Sequence, residues 1–154
     1  MAYRWSSDLE TGHNLIDEQH KSLFVAANKF ADAFKNGKGQ SEIEKTLHFL
    51  ILYTEQHFRD EEELQKQYAP NDYDRHKMYH KEFTTIVQDF VERFGAEGPT
   101  DALLYEIYGT IGNWLLNHIK SDDFVLAACI NRSKQTPSSG SAHPPASDHE
   151  IILT

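Results

Sequence analysis

The sequence predicts an all-α fold, an antiparallel up-down-up-down four-helix bundle with an N-terminal arm and a disordered C-terminal tail. Four long segments repeat apolar side chains at steps of three and four residues, which is the spacing of one face of an α-helix. The connections between them are short and rich in Gly, Pro and Asn, and short connections make neighbouring helices antiparallel. No segment alternates apolar and polar side chains as a half-buried strand would.

The first two predicted helices have recognisable ends. Helix one is expected from about Asp17 to Asn36, where the run NGKG stops it. Its inward stripe consists of Ile16, His20, Leu23, Ala27, Phe30 and Phe34. Helix two is expected to start near Ser41, because Glu44 follows in a capping-box pattern, and to end before Tyr68. Its stripe consists of Ile43, Leu47, Leu50, Thr54, His57, Glu61 and Leu64.

The third and fourth predicted helices complete the bundle. Helix three is expected from about Tyr73 to Phe94, ending at Gly95. Its stripe consists of Tyr73, His76, His80, Phe83, Val87, Phe90 and Phe94. Helix four is expected to begin after Thr100, a favourable N-cap, and to continue with an interruption to about Ile130. Its stripe consists of Leu104, Ile107, Ile111, Trp114 and His118.

The two ends of the chain do not follow the bundle pattern. In the N-terminal segment, Trp5 and Leu9 are expected to fold back on the bundle as an arm. Residues 132–150, RSKQTPSSGSAHPPASDHE, contain three prolines, many serines and few apolar side chains, which is typical of disorder. We therefore divide the chain into a bundle domain, residues 1–131, and a tail, residues 132–154.

Charge and composition argue against several classes of protein. The 154 residues fit one domain, and the net charge of −9 argues against nucleic-acid and anionic-membrane partners. No apolar run reaches the roughly 18 residues of a membrane span, so no membrane insertion is expected. The N-terminal residues lack the apolar core of a signal peptide and Cys129 is the only cysteine, so a cytoplasmic location is expected. An acidic surface without an evident apolar stripe predicts a monomer.

Five of the nine histidines lie on the predicted inward stripes, and every helix contributes at least one of them. They are His20, His57, His76, His80 and His118. A single histidine in such a place is most often a hydrogen-bonded core residue. Five buried imidazoles with a buried carboxylate would cost several kcal/mol if they were left unpaired. Bound metal removes that cost because it coordinates their lone pairs.

The spacing of these side chains indicates two metal ions. His57 and Glu61 are four residues apart, one above the other on a helix face, and so are His76 and His80. One ion cannot use five imidazoles and two carboxylates, whereas two ions bridged by carboxylates can. Nitrogen and oxygen ligands without thiolate favour iron or manganese over structural zinc. Ferritin-like di-iron bundles use four carboxylates and paired Glu-x-x-His motifs, a pattern that this sequence lacks.

Five pieces of the sequence resemble the hemerythrin family, in particular its bacterial members. They are Trp5, IDEQH ending at His20, HFRDEE from His57, HKMYHKEF from His76 and WLLNHIKSDD from Trp114. Together they span about residues 5–125, nearly all of the predicted folded part. The resemblance implies a non-haem di-iron centre, two iron ions joined by an oxo or hydroxo bridge, that binds O2 reversibly.

The resemblance also implies a role for each side chain. Three histidines would fill one iron: His76, His80 and His118. Two would bind the second iron, which keeps one position open for O2: His20 and His57. Two carboxylates would bridge the irons: Glu61 and Asp123. Apolar side chains would cover the open position and slow autoxidation by excluding water: Leu23, Phe58, Trp114, Leu115 and Ile119.

The second bridging carboxylate is the least regular of these positions. On an ideal helix Asp122, four residues after His118, lies nearer the ligand face than Asp123. The family pattern uses the residue five after the histidine, which selects Asp123. We follow that pattern, and it requires helix four to bend or end near Ser121. The acidic residues Asp60, Glu62 and Glu63 are interpreted as a solvated helix face.

Several functions are compatible with such a centre. The expected function is reversible O2 binding by a carrier, store or local supplier, with a protein that receives O2 as a conceivable partner. We expect no enzyme activity, because an enzyme that handles peroxide or nitric oxide needs an acid–base residue near the open iron. The candidate residues there are mostly apolar. An O2 or redox sensor is a further alternative, whereas bulk iron storage does not fit two irons per chain.

Overall fold

The computed structural model describes residues 2–135, which form four long helices and no strand. The predicted all-α bundle is therefore confirmed. The elements are α1 (Asn14–Lys35), α2 (Gln40–Tyr68), α3 (Tyr73–Glu97), α4 (Asp101–His118), a π-helical segment (Ile119–Asp123) and α5 (Phe124–Gln135). Short 3₁₀ turns at Ser7–Leu9 and Pro70–Asp72 precede α1 and α3. None of the helices in the described range has a stretch both long and apolar enough to cross a membrane.

The helices form a ring around one elongated core. Helix α1 packs against α2 and α4, and α3 contacts the same two helices. Phe30, Leu50 and Ile107 are among the fully buried side chains between them. A second, smaller cluster joins Ile16 of α1 to Leu126 and Ile130 of α5, and closes one end of the bundle.

Four of the predicted helix boundaries need correction. Helix α1 begins at Asn14, three residues before the predicted Asp17, with His13 as its N-cap. Helix α2 begins at Gln40, because the Gly39 carbonyl accepts the amide protons of Glu42 and Ile43, so the predicted capping box at Ser41 is wrong. Helix α3 continues through Gly95 and stops at Gly98, whose φ of 74° ends the helical path. Of the predicted tail, residues 132–135 belong to α5, and residues 136–154 lie outside the described range.

The predicted N-terminal arm packs along α1 and α4. Leu9 is fully buried, and Tyr3 and Trp5 pack against the main core. Asn28 fixes the arm from α1, since its Oδ1 accepts from the Tyr3 amide at 3.0 Å and its Nδ2 donates to the Tyr3 carbonyl at 2.7 Å. The Tyr3 ring lies so close to Gly112 of α4 that a Cβ there would force the ring to move.

The interruption predicted in the fourth helix is a π turn. The backbone amide of Phe124 donates to the Ile119 carbonyl, a five-residue step in place of the usual four. The chain remains helical on both sides, so α4 and α5 continue through it. Such a turn inserts one extra residue and rotates everything after it relative to the face before it.

Candidate metal centre

Seven metal-ligand side chains meet in the interior of the bundle. They are His20 of α1, His57 and Glu61 of α2, His76 and His80 of α3, His118 of α4 and Asp123 of the π segment. None exceeds 3% exposure. All seven predicted metal ligands therefore converge in one place, and their donor atoms form two groups.

The first group contains three histidines and Glu61. The Nε2 atom of His118 lies 3.2 Å from that of His76 and 3.0 Å from that of His80. Glu61 Oε2 lies 3.2 Å from His80 Nε2 and 3.7 Å from His118 Nε2. Metal–nitrogen bonds of about 2.1 Å at right angles put the nitrogens about 3.0 Å apart, so these spacings suit one shared ion.

The second group contains two histidines and both carboxylates. His20 Nε2 lies 2.9 Å from Asp123 Oδ2 and 3.8 Å from Glu61 Oε1. His57 Nε2 lies 3.3 Å from the same Oε1 atom. Together with the first group, these contacts account for every predicted ligand.

Each carboxylate divides its two oxygen atoms between the groups. Glu61 turns Oε1 toward His57 and Oε2 toward His80. Asp123 turns Oδ2 toward His20 and Oδ1 toward His118, at 2.9 and 3.1 Å. This is the arrangement that two bridging ligands between two metal ions require.

Four of the donor atoms have no hydrogen-bond partner among the described residues. His57 Nε2, both Glu61 oxygens and Asp123 Oδ1 are buried without a hydrogen bond. Buried polar atoms are nearly always hydrogen-bonded, and each exception costs about 1–3 kcal/mol. Two cations would coordinate these atoms together, so the residues present fit a di-iron centre.

In the metal-free site the pKa values of the buried carboxylates and histidines depend on one another. Burial would raise the pKa of Glu61, but the adjacent histidines outweigh burial and hold that pKa well below its usual value. Burial lowers the pKa of His57 to about 4, which keeps its imidazole neutral at pH 7. For His76 the carboxylates of Asp123 and Glu61 overcome burial and raise the pKa to about 9. A metal must therefore displace a proton from His76 at neutral pH.

The π segment explains how Asp123 reaches the centre. In a regular α-helix the residue four after His118 would lie over that histidine, and Asp122 occupies this position. The five-residue step turns Asp123 inward, where its exposure is 0%. Asp122 lies instead at the outer side of the same ring, with Oδ2 3.1 Å from His118 Nδ1.

Four of the five predicted apolar cover residues belong to the main core, and the fifth packs against it. Leu23, Phe58, Leu115 and Ile119 are buried, and Trp114 is partly buried. Phe58 stacks on His80 at 3.9 Å between ring centroids, and Trp114 stacks on His118 at 4.4 Å. These two rings thus contact the three-histidine group. On the other side, the arm places Trp5 6.0 Å from the His20 ring, a contact that the sequence pattern did not predict.

Sequence reasoning missed the polar residues that orient the histidines. Gln19 Oε1 lies 2.8 Å from His57 Nδ1, and Gln19 Nε2 donates to Asp60 at 2.6 Å. Glu62 Oε1 lies 3.1 Å from His80 Nδ1. Asp60 and Glu62 are thus half-buried supports of the site, and their interpretation as a solvated face is wrong. Their position beside the ligand stripe was the available signal, because metal-bound imidazoles need an acceptor for the second ring nitrogen.

Comparisons with known proteins agree with this site. The hemerythrin HHE cation binding domain family matches residues 11–130. Bacteriohemerythrin of Pseudomonas aeruginosa is 36% identical over 120 residues, which cover 77% of this chain and 75% of that protein. Bacteriohemerythrin of Methylococcus capsulatus is 33% identical over 131 residues, which cover 82% and 94%. Myohemerythrin of Theromyzon tessulatum is 31% identical over 122 residues, which cover 79% and 88%.

The fold is also similar to that of a hemerythrin of known structure. The crystal structure of a wild-type hemerythrin matches with a TM-score of 0.75 at 28% identity, covering 84% of this chain and 98% of that chain. The matched range contains all seven converging side chains, from His20 to Asp123. The chain belongs to the hemerythrin family of non-haem di-iron, oxygen-binding proteins.

Proposed function

We propose that the protein binds O2 reversibly, as an oxygen carrier, store or local supplier, and that it is not an enzyme. The observation that carries the proposal is the unequal donor set of the two groups. Three imidazoles face one metal position and two face the other, while Glu61 and Asp123 serve both. An ion held by His20 and His57 would have one protein ligand fewer than the other ion and could take an external ligand, and the iron pair would supply the electrons for O2 binding.

The surroundings of the two-histidine group support binding rather than turnover. His20 and His57 are fully buried, and Leu23 follows His20 by one turn of α1 with 1% exposure. The second ring nitrogen of His57 faces Gln19, whose amide does not ionise at neutral pH and so cannot act as an acid or a base. A dry site without an acid–base group would hold O2 and release it unchanged.

Optical spectra and iron analysis test the proposal together. We expect two irons per chain, a colourless reduced form, and a charge-transfer band that appears with O2 and disappears when O2 is removed. Turnover of peroxide or nitric oxide faster than O2 release would contradict it and favour the enzyme alternative. A redox-dependent contact with another protein would favour the sensor. Size-exclusion chromatography of the oxygenated protein should give a monomer.

A further inference from the structure

A line of charged side chains connects the iron ligand His118 to the protein surface. His118 Nδ1 faces Asp122 Oδ2 at 3.1 Å. The other oxygen of Asp122 accepts from Arg75 Nη1 at 2.6 Å, across the space between α3 and the π segment. Arg75 also donates to both oxygens of Asp72, at 2.5 and 2.8 Å. The line therefore runs His118–Asp122–Arg75–Asp72, and we name it the Asp122 relay.

The two inner side chains of the Asp122 relay are buried, and the two outer ones are partly exposed. The side chains of His118 and Asp122 are 2% and 8% exposed, whereas that of Arg75 is 42% exposed. Ser121 Oγ donates to Asp122 as well, at 2.9 Å. Three donors from three residues thus hold the Asp122 carboxylate in one orientation against the His118 ring.

The acceptors of the other iron ligands differ from Asp122. His57 faces the neutral amide of Gln19. His80 faces Glu62, whose nearest described cation is Lys77 at 3.8 Å. Asp122 therefore differs from both, because it is a carboxylate that also pairs with a guanidinium from another helix. The guanidinium can reduce the negative charge that the carboxylate presents to the imidazole of His118.

We propose that Asp122 is a positioning residue that sets the electron-donor strength of His118, and that Arg75 limits this effect. A carboxylate on Nδ1–H fixes the tautomer in which Nε2 carries the lone pair and makes the imidazole a stronger donor. A stronger donor stabilises Fe(III) relative to Fe(II). The guanidinium opposes this because it draws the carboxylate charge toward itself. The inference rests on the di-iron centre and does not depend on the role of O2.

Two substitutions should move the reduction potential of the iron pair in opposite directions. Asp122→Asn removes the negative charge but keeps an oxygen that can accept from His118, so the potential should rise. Arg75→Gln removes the opposing charge but keeps an amide that can donate to Asp122, so the potential should fall. Spectroelectrochemical titration of the iron-loaded proteins measures both. A purely structural role would loosen the site in both variants and shift both potentials in the same direction.

A matched control separates this effect from a general loss of charge. Arg93 lies on the same helix, 18 residues further and so about 27 Å away along the axis, and it pairs with Glu106 and Asp89. Arg93→Gln should leave the potential unchanged. Release of iron to a chelator provides a second readout, and Asp122→Asn should release it about 10- to 100-fold faster than the parent protein.

The outcomes that overturn the proposal are definite. Shifts of the same sign in the two variants, or no shift in either, contradict it. If Asp122→Asn retains fewer than two irons, the test rests on the reduction potential of Arg75→Gln. An unchanged potential in that variant overturns the proposal. The reduction potentials are measured on iron-loaded protein without O2. A failure of reversible oxygenation would therefore contradict the proposed function but not the proposed role of Asp122.

Discussion

Oδ2 of Asp123 lies 2.9 Å from Nε2 of His20, although the two residues are 103 positions apart. This contact joins the first helix to the π segment. It also distinguishes the two neighbouring aspartates, because Asp122 faces the outer nitrogen of His118. We therefore expect Asp123→Ala to bind fewer than two irons per chain and Asp122→Ala to bind two when iron is in excess. Iron analysis after desalting measures the difference.

The control for this prediction is Asp123→Asn, which keeps the volume and one oxygen acceptor. Because a neutral amide bridges two cations poorly, it should resemble Asp123→Ala in iron content. Two irons in Asp123→Ala would show that Asp123 is not a bridging ligand.

Leu115→Ala should accelerate autoxidation. Leu115 is 3% exposed and lies one turn before His118, so its removal opens space beside the ligands. Truncation of a buried leucine costs about 2–5 kcal/mol of folding free energy wherever it occurs. Leu104→Ala is the matched control, because Leu104 is 1% exposed on the same helix but lies about 21 Å from His118 along the axis. Decay of the oxygenated spectrum should quicken in Leu115→Ala alone, and equal decay in both variants would argue against the cover role.

Gly112→Ala should loosen the N-terminal arm. A Cβ at this position would come within 1.8–2.3 Å of the Tyr3 ring, which must move away. Overpacking of this kind costs about 1–3 kcal/mol. Cleavage by trypsin after the exposed Arg4 should become faster, as followed by mass spectrometry.

Gly109→Ala is the control for that experiment. A Cβ there meets nothing within 4 Å, and alanine favours the helix by up to about 1 kcal/mol over glycine. The control should be as stable as the parent protein or more so. Equal protease sensitivity in the two variants would mean that the Tyr3–Gly112 contact does not hold the arm.

The metal-free protein should lose stability as pH rises from about 6.5 to 9. The carboxylates of Asp123 and Glu61 raise the pKa of His76 to about 9 in the folded protein, against about 6.5 in an unfolded chain. The stabilisation is therefore complete below pH 6.5 and disappears as pH rises through 9. Its size is on the order of 3 kcal/mol, measurable by denaturant unfolding. His76→Gln should show a flatter pH dependence.

Iron loading should abolish this dependence, because a metal takes the place of the proton. Uptake of Fe(II) at pH 7 should accordingly release protons into a weakly buffered solution, and the release should decrease toward pH 10. Uptake without proton release at pH 7 would contradict the raised pKa of His76.

The sequence was sufficient for the parts of the fold that depend on periodicity. Apolar steps of three and four residues predicted all four helices, and Thr100 caps α4 through a hydrogen bond from the Leu103 amide as expected. Helix ends depend on single backbone conformations, which periodicity does not report. This is why the capping box at Ser41 was wrong and why α3 extends beyond Gly95.

The site residues also divide into those that helix periodicity predicts and those that it does not. His20, His57, Glu61, His76, His80 and His118 were predicted from their stripes alone, because each lies on the inward face of a regular helix. Asp123 needed the family pattern, since a π turn shifts it by one residue. The supporting roles of Asp60 and Glu62 could not be predicted from the sequence. A charged residue at the border of a buried stripe has the same sequence pattern whether it faces water or a ligand.

The contact between His20 and Asp123 also means that bound iron would link two distant parts of the chain. Among the described residues Cys129 is free, so no disulfide links these helices. A bound iron pair instead ties residue 20 to residue 123, and a covalent cross-link over about 100 residues stabilises a fold by roughly 4.7 kcal/mol through chain entropy. Proteases act on chains that open, so a polypeptide without iron should be degraded sooner. Iron supply would then determine how long each molecule survives as well as whether it is active.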